Sequence, residues 1–530
     1  MARINLGQFY TVLTICGRHA EKDVVLTGRI MSKFAIASGH QLTSEAAADV
    51  LRAGGTAVDA AIAGAFMACV AEPVLASPLA GGFMMVSSKG AAPQCLDMFV
   101  QTPREKRSEA DVDIREIEVD FGPTQQIFHC GAGTTATPGL VPGIFEAHSQ
   151  FGRMPMAELV APAVAAMRAG VIVTEFQAEV LGYVAAIYTA SEGARELYCA
   201  DDRLLKPGAV LRNAAMADVL EVMALEGARF VQEGEVASAL LAMEGSHLTQ
   251  LDLRRYAPKW RKPLTLSRGG LDFALNPPPS LGGVQIALAL SALPQDADDR
   301  ALAICLHEVT KIRKTRDLDH NPAEGTKLML DPKLVKSLRA ILADRQAATR
   351  GTTHISVIDQ NGMGAAFTLS NGEGNGLIVP GTGIMANNML GEDDLVPDGP
   401  NSWRPDQRLA SMMCPMIARS GEEITMLGSG GSNRIRSALA QVSLALSQGV
   451  GLEEAIHAPR LHVETGEHLL DFEDFGDEQR REGLLSDFPD AKIWDRQSMY
   501  FGGVHAARAD GRGGYQAVGD PRRSGHVLTE

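Results

Sequence analysis

The chain has 530 residues, of which 45% are hydrophobic and 21% are charged. This ordinary globular composition excludes wholesale disorder and fibrous architectures. Its 49 Lys and Arg residues against 64 Asp and Glu residues give a formal net charge of −15, which argues against nucleic-acid binding and membrane docking as main functions because such a surface repels phosphate groups.

The first 30 residues and the seven cysteines bear on where the protein works. The apolar stretch near the start is short and lacks a clear cleavage site, so it makes a poor signal peptide. We expect residues 1–30 to be a loosely packed or disordered extension, and the protein to be cytoplasmic rather than periplasmic. The cysteines form no C-x-x-C pair, which predicts buried thiols rather than disulfides or a zinc ribbon. No uncharged apolar run is long enough for a transmembrane helix.

The N-terminal half predicts helices with a few short strands. Strands are expected at residues 34–38 and 83–86, and helices at residues 44–52 and 57–71. Thr56 is placed to cap the second helix, with Asp59 three residues later. That helix is apolar nearly all round and should be buried. Helical spacing is also found in residues 155–245, and a helix is expected after the proline-rich turn at residues 276–283. The charged residues 296–350 are helical as well, and a solvated helix face is the simplest interpretation of their charge.

The pattern changes at Gly351. Residues 353–359 and 363–370 predict two strands of a hairpin that turns at Asn361-Gly362. A strand at residues 426–427 is expected to end in a Gly-Ser-Gly-Gly-Ser run, followed by a helix over residues 435–446. Residues 501–507 and 514–518 read as closing strands. The sum is an α+β arrangement with hairpins inside and helices outside.

A Thr at this boundary can carry chemistry. If the bond before Thr352 is cut, its new α-amine, with an ordinary pKa of about 7.7–8.0, lies beside its own hydroxyl and can act as the base for it. Residues 351–353 also fit a second interpretation, in which the threonines simply open a strand. The Gly-Ser run at residues 428–432 is likewise either an anion-binding nest before a helix or a plain tight turn. No phosphate-binding loop and no metal-ligand spacing occur, so neither cofactor nor metal is expected.

Several short segments follow one another in a recognisable order along the chain. They are GGTAVDAA at residues 54–61, GGF at 81–83, TPG at 137–139, PPPS at 277–280 with GG at 282–283, TTHISV at 352–357, PGTGI at 380–384 with NN at 387–388, GSGGS at 428–432 with RI at 434–435, and DPR at 520–522. Together they resemble the γ-glutamyltransferase family of N-terminal-nucleophile hydrolases over about residues 35–525.

The resemblance implies a four-layer αββα sandwich made as one precursor. Self-cleavage before Thr352 would leave a large-subunit region, 31–351, and a small-subunit region, 352–530, as two intertwined pieces of one heterodimer. Thr352 would be the nucleophile and Ser370 the hydroxyl residue that assists it. The backbone N–H groups of Gly431 and Ser432 would form the oxyanion hole. The partners implied are a small-molecule amide and an acceptor that is water or an amine.

The resemblance also places the substrate-binding residues, and here the chain departs from the family. The positions concerned are Phe99, Asn371, Glu392, Ser411 and Met412. Phe99 stands where the family has an Arg for the substrate α-carboxylate, and Glu392 stands at the position of an Asp. Met412 replaces the second Ser of a pair, and Met389 replaces a Gln. The implied pocket is less polar than one for a γ-glutamyl group, unless another arginine such as Arg408 or Arg434 reaches in.

Three functions are consistent with these residues. The first is a self-processing γ-glutamyltransferase-like enzyme that cleaves or transfers an acyl group from an amide through an acyl-Thr intermediate. The second is an amidohydrolase like the cephalosporin acylases. The third is a catalytically silent family member that acts as a binding protein, motivated by the hydrophobic replacements in the pocket.

Overall fold

The computed structural model describes residues 33–120, 125–315, 327, 331–341, 352–396, 398–463 and 470–530. The chain divides into a short unit, Met1–Met31, and a large unit, Ser32–Glu530. The expected extension at residues 1–30 and the boundary residue Gly351 lie outside the described residues. Within the described ranges, no helix combines the length and apolar character that a membrane crossing requires.

The described strands fall into two large sheets and several small ones. They are β1 (Ala35–Ser38), β2 (Gly81–Ser87), β3 (Gln94–Met98), β4 (Arg115–Asp120), β5 (Gln125–Cys130), β6 (Val171–Ile172), β7 (Cys199–Ala200), β8 (Arg203–Leu204), β9 (Val210–Leu211), β10 (Lys259–Arg261), β11 (Leu264–Arg268), β12 (Leu271–Leu275), β13 (Thr353–Ile358), β14 (Gly364–Ser370), β15 (Ile378–Val379), β16 (Ile384–Met385), β17 (Met416–Ser420), β18 (Glu423–Gly430), β19 (Leu461–Val463), β20 (Leu470–Glu473), β21 (Lys492–Trp494), β22 (Gly503–Ala509), β23 (Tyr515–Val518) and β24 (His526–Thr529).

The described helices surround these sheets. They are α1 (Gln41–Arg52), α2 (Ala57–Ala71), α3 (Leu140–Phe151), α4 (Met156–Ala169), α5 (Glu175–Tyr183), α6 (Ala185–Tyr188), α7 (Glu192–Tyr198), α8 (Ala214–Glu226), α9 (Arg229–Gln232), α10 (Glu235–Leu241), α11 (Gln250–Arg255), α12 (Gly282–Ala292), α13 (Asp299–Thr315), α14 (Pro332–Ile341), α15 (Arg434–Ser447), α16 (Leu452–His457) and α17 (Glu478–Asp487).

Two antiparallel sheets form the centre of the large unit. The first has the strand order β10-β3-β2-β14-β13-β1-β24, and the second has the order β11-β12-β17-β18-β22-β23. β13 and β14 of the first sheet pack across β18 and β22 of the second. α2 covers the outer face of the first sheet, and α12 and α15 cover the outer face of the second. The result is the predicted four-layer αββα sandwich.

β13 shows why this sheet is buried on both faces. Its side chains alternate between two hydrophobic cores: Ile355 and Val357 face the core beneath α2, whereas Ile358 joins the core between the sheets and beneath α12 and α15. A strand with both faces covered needs apolar or fully hydrogen-bonded residues throughout. The polar His354 meets this need through bonds to Thr368 Oγ1 at 2.7 Å and Ser356 Oγ at 2.9 Å.

Most predicted elements are present, but the predicted helical stretch 155–245 also contains the short strands β6 to β9. A second correction concerns the Gly-Ser run. The predicted strand at residues 426–427 was expected to end at Gly428, but β18 continues to Gly430. The reason is that Gly428, Ser429 and Gly430 pair with β22. A glycine is also needed at Gly428, because a β-carbon there would lie 2.3 Å from the His354 ring. The turn is therefore shorter than predicted.

Candidate active site

Thr352 and Ser370 lie side by side at one end of the β13–β14 hairpin. Thr353 pairs with Leu369 across this hairpin, so the next residues outward are Thr352 and Ser370. Both side chains are buried. The Ser370 hydroxyl oxygen accepts a hydrogen bond from the Gly372 N–H at 3.1 Å. The hairpin thus brings the predicted nucleophile and its predicted helper together.

The Gly-Ser loop lies directly against Thr352. A β-carbon built on Gly430 would lie 1.9 Å from the Thr352 carbonyl oxygen, so only a glycine fits. The backbone then turns through positive φ at Gly431 (118°) and Ser432 (47°). A serine in the left-handed region is uncommon, and such strain concentrates at functional sites. No described acceptor takes up the N–H of Gly431 or of Ser432, and their assignment to the oxyanion hole stays a prediction.

Asp394 holds this strained turn, and the sequence interpretation missed it. Its carboxylate accepts hydrogen bonds from Ser432 Oγ at 3.1 Å and from Asn433 Nδ2 at 2.9 Å. Arg313, on α13, donates to the Asp394 carbonyl oxygen and to Asn433 Oδ1. The only sequence signal is the pair of acidic residues, Asp393 and Asp394, that follows Glu392. Such a run does not distinguish a structural carboxylate from a substrate-binding one.

Arg523 and Glu72 complete the surroundings of Thr352 and were also missed. Arg523 Nη1 donates to the Thr352 carbonyl oxygen at 3.2 Å. Glu72, at the end of α2, accepts hydrogen bonds from Thr353 Oγ1 at 2.7 Å and from Thr43 Oγ1 at 3.2 Å. Burial raises the pKa of Glu72 to about 7, although both hydroxyl donors and Arg523 oppose this shift. Burial, reinforced by the positive charge of Arg434, lowers the pKa of Arg523 to about 10.

The apolar substitutions predicted for the substrate pocket lie in one buried cluster. Phe99, Met389 and Met412 all belong to the core between the sheets and are at most 4% exposed. The Phe99 ring stacks on Phe83 with 5.4 Å between centroids. Phe99 is close to the catalytic hairpin, because a β-carbon on Gly81, the partner of Ser370, would lie 3.1 Å from Phe99 Cα.

The polar residues predicted to bind substrate have different surroundings. A β-carbon on Gly372 would lie 2.5 Å from Glu392 Oε1, so this carboxylate faces the loop after Ser370. Asn371 is fully buried, and neither polar atom of its side chain has a hydrogen-bond partner among the described residues. Ser411 instead holds backbone segments together. Its Oγ accepts a hydrogen bond from the Met413 N–H, and its carbonyl oxygen accepts one from the Leu281 N–H.

The two arginines considered as replacements for the missing family Arg differ. Arg408 is committed to Asp97, with Nη1 2.7 Å from Oδ1, and its guanidinium lies 4.6 Å from the centroid of the Tyr256 ring. It therefore does not fill the vacant role. Arg434 Nε donates to the Tyr500 carbonyl oxygen at 2.7 Å, and its guanidinium lies 4.6 Å from the centroid of the Tyr500 ring. In the described part of the chain, no group of three or more His, Cys, Asp or Glu side chains is placed to hold a metal ion.

Comparison with known proteins decides the family. The sequence model of the gamma-glutamyltranspeptidase family matches residues 43–529. The chain belongs to this family. The match spans both halves of the sandwich and includes the hairpin and the Gly-Ser loop. The predicted family and its hydrolase or transferase activity are thereby confirmed, while the roles given to single residues remain predictions.

Relatives within and near the family include acylases and glutathione hydrolases. The chain is 29% identical over 490 residues to the Acylase ACY 1 proenzyme of Pseudomonas sp. strain V22, covering 86% of each chain. It is 26% identical over 472 residues to the glutathione hydrolase proenzyme of Escherichia coli K12, covering 81% of this chain and 80% of that protein. The crystal structure of cephalosporin acylase from Bacillus halodurans superposes with a TM-score of 0.79 at 23% identity, over 94% of this chain and 96% of that one, and shows the same fold.

Proposed function

We propose that this protein cleaves itself before Thr352 and then hydrolyses or transfers an acyl group from a small amide whose acyl head is less polar than a γ-glutamyl group. The observation that carries the proposal is the meeting of Thr352, Ser370 and the turn through Gly431 and Ser432 at one end of the central hairpin. These supply a nucleophile, a second hydroxyl and an oxyanion hole.

The chemistry needs no group from outside the chain apart from the substrate and its acceptor. After cleavage the α-amine of Thr352 takes the proton of its own hydroxyl, and the hydroxyl oxygen attacks the amide carbonyl carbon. The carbonyl oxygen becomes negatively charged and accepts hydrogen bonds from the N–H groups of Gly431 and Ser432. The C–N bond breaks, the α-amine gives its proton to the departing amine, and an ester to Thr352 remains. Water or another amine then releases the acyl group by the reverse sequence.

The nature of the acyl group follows from what lines its predicted position. Phe99, Met389 and Met412 offer no charge to a substrate carboxylate, and burying that carboxylate without a cation is costly. Glu392 and the unpartnered Asn371 still offer polar contacts on the other side. An acyl chain with an apolar head and a single polar group fits this set better than an amino acid zwitterion. The similarity to an acylase proenzyme supports the same choice.

Mass spectrometry of the purified protein tests the cleavage, and matched anilides test the donor. Wild type should appear as two pieces, with Thr352 at the start of the smaller one. Thr352→Ala should stay intact and lose at least about 10³-fold in kcat/KM, whereas Thr352→Ser should keep slower cleavage. The uncharged butyryl-4-nitroanilide should be a better substrate than γ-glutamyl-4-nitroanilide and than glutaryl-4-nitroanilide, because both of these bring a carboxylate to the pocket. An intact wild-type chain that is fully active would refute the proposal.

A further inference from the structure

A cavity with about 90 Å³ of room for the centre of a water-sized sphere lies one residue away from Thr352, and no role has been assigned to it. Gly372, whose N–H donates to Ser370 Oγ, lies in its wall, and so does Arg523, which donates to the Thr352 carbonyl oxygen. Phe99, Met389 and Met412 do not line it. The cavity is therefore separate from these three residues, and it lies one contact away from Thr352 and Ser370.

The wall of the cavity is apolar and rigid. Trp494 and Tyr500 stack with 4.9 Å between ring centroids. Both are anchored by the buried Asp471, which accepts from Trp494 Nε1 at 2.9 Å and from the Tyr500 hydroxyl at 2.7 Å. Leu75 and Val184 add aliphatic surface. Such a wall suits an aromatic ring or a compact apolar body.

Two arginines give the cavity its charge. Arg434 lies 4.6 Å over the Tyr500 ring, and Arg523 is only 4% exposed. Arg523 Nε has no hydrogen-bond partner among the described residues. The mutual repulsion of the two guanidinium groups contributes to the lowered pKa of Arg523. An anion placed between them would relieve this repulsion and satisfy a buried donor. Glu373 is the acidic residue in the lining, and it favours an amine or ammonium group in the same ligand.

We propose that this cavity binds the leaving amine of the substrate, and that the amine has an apolar or aromatic body and a carboxylate held by Arg434 and Arg523. The scissile amide has two sides, and the acyl side is accounted for by the cluster around Phe99. The cavity, one contact away from Thr352 and Ser370, offers room for the other side. This inference rests on the proposed function, and it adds the chemical class of the amine.

Binding to the full-length Thr352→Ala protein tests the cavity independently of catalysis. The probes are 5-amino-2-nitrobenzoate, its uncharged carboxamide and 4-nitroaniline, titrated by calorimetry and by quenching of Trp494 fluorescence. The carboxylate should bind about ten-fold or more tightly than the other two. Equal affinity of the carboxylate and the carboxamide would overturn the proposal without any further variant. Because the nucleophile is absent, failure of the predicted chemistry would leave this result unchanged.

Variants locate the effect. Arg434→Gln in the same background should reduce the carboxylate preference to about one, while Arg434→Lys should retain part of it. Arg512→Gln removes the same charge from an exposed turn and should leave the preference intact. Trp494→Phe should abolish the fluorescence change but not the heat of binding. A preference that survives in Arg434→Gln would overturn the proposed site.

Discussion

Glu72 is a buried carboxylate that contacts Thr353, the residue after the predicted nucleophile. It accepts hydrogen bonds from Thr353 and Thr43, and the positive charge of Arg523 acts to lower its pKa. A β-carbon on Gly39 would lie 2.6 Å from Glu72 Oε2, so the chain leaves room only for the carboxylate itself. The residue after Thr352 is thus fixed to the end of α2, which restrains the backbone of Thr352.

The raised pKa of Glu72 makes a prediction about stability. Its folded pKa of about 7 exceeds its ordinary value of 4.5, so the folded state binds more protons between these values. The stabilisation is complete below pH 4.5 and is lost as the pH rises through 7, at a cost on the order of 3 kcal/mol. Glu72→Gln should remove this loss. Urea unfolding at pH 5 and pH 8, in the uncleaved Thr352→Ala background, measures it.

The control for this prediction is Glu482→Gln, on an exposed face of α17. It should reproduce the pH dependence of the parent protein. Stability profiles of parent and Glu72→Gln that run parallel from pH 5 to pH 8 would contradict the assignment.

Gly430 allows a second prediction at the residue scale. A β-carbon there would lie 1.9 Å from the Thr352 carbonyl oxygen, which is backbone and cannot turn aside. Gly430→Ala should therefore displace the scissile junction, cost about 1–3 kcal/mol of stability and slow self-cleavage, as followed on denaturing gels over time. Gly483→Ala, where a β-carbon would meet nothing within 4 Å, should cleave at the wild-type rate. Equal cleavage rates in the two variants would contradict the close contact.

At the scale of elements, α2 is a buried helix whose capping residue Asp59 also bonds to a distant loop. All fifteen of its residues are buried, and Thr56 and Asp59 form a reciprocal capping box. Asp59 also accepts hydrogen bonds from the N–H groups of Arg153 and Met154, at 2.9 Å and 3.3 Å. The same carboxylate thus satisfies the start of α2 and the loop before α4. Neither the second contact nor its partner could be predicted from the local pattern.

Asp59→Ala should accordingly be far more damaging than the loss of a surface cap. It leaves several buried N–H groups without an acceptor, so we expect a loss of about 2–4 kcal/mol. Asp49→Ala, on the exposed side of α1, should change stability by no more than about 0.5 kcal/mol. Denaturant unfolding of both variants gives the comparison. Similar midpoints would show that the Asp59 bonds to Arg153 and Met154 are not important.

The sequence predicts elements well where local chemistry is decisive. The β13–β14 hairpin was predicted to within one residue because β-branched residues flank an Asn-Gly turn. The bounds of α2 are predicted in full, its start from the capping pair Thr56 and Asp59 and its end from the prolines that follow. By contrast, the contacts of Glu72, Asp394 and Arg523 with the catalytic loops join residues far apart in the chain, and no local pattern encodes them. Arg408 illustrates the limit, because only the structure shows its pairing with Asp97.

At the scale of the whole molecule, the two predicted pieces share both sheets. In the first sheet, β2 of the large-subunit region pairs with β14 of the small-subunit region, and β13 pairs with β1. β24, from the end of the chain, pairs with the other edge of β1. In the second sheet, β12 pairs with β17. Cutting the chain before Thr352 breaks one covalent bond but none of these ladders.

The cleaved protein should therefore behave as one folded body. We expect the two pieces to elute together in size-exclusion chromatography, at the volume of uncleaved Thr352→Ala, and to unfold in a single transition. The physical reason is that separating them would expose the backbone groups of four strand pairs and both hydrophobic cores at once. Free small piece in native buffer, or two separate unfolding transitions, would contradict this interlocked arrangement. Co-elution that persists in high salt would show that strand pairing and apolar burial, rather than surface charge, hold the pieces together.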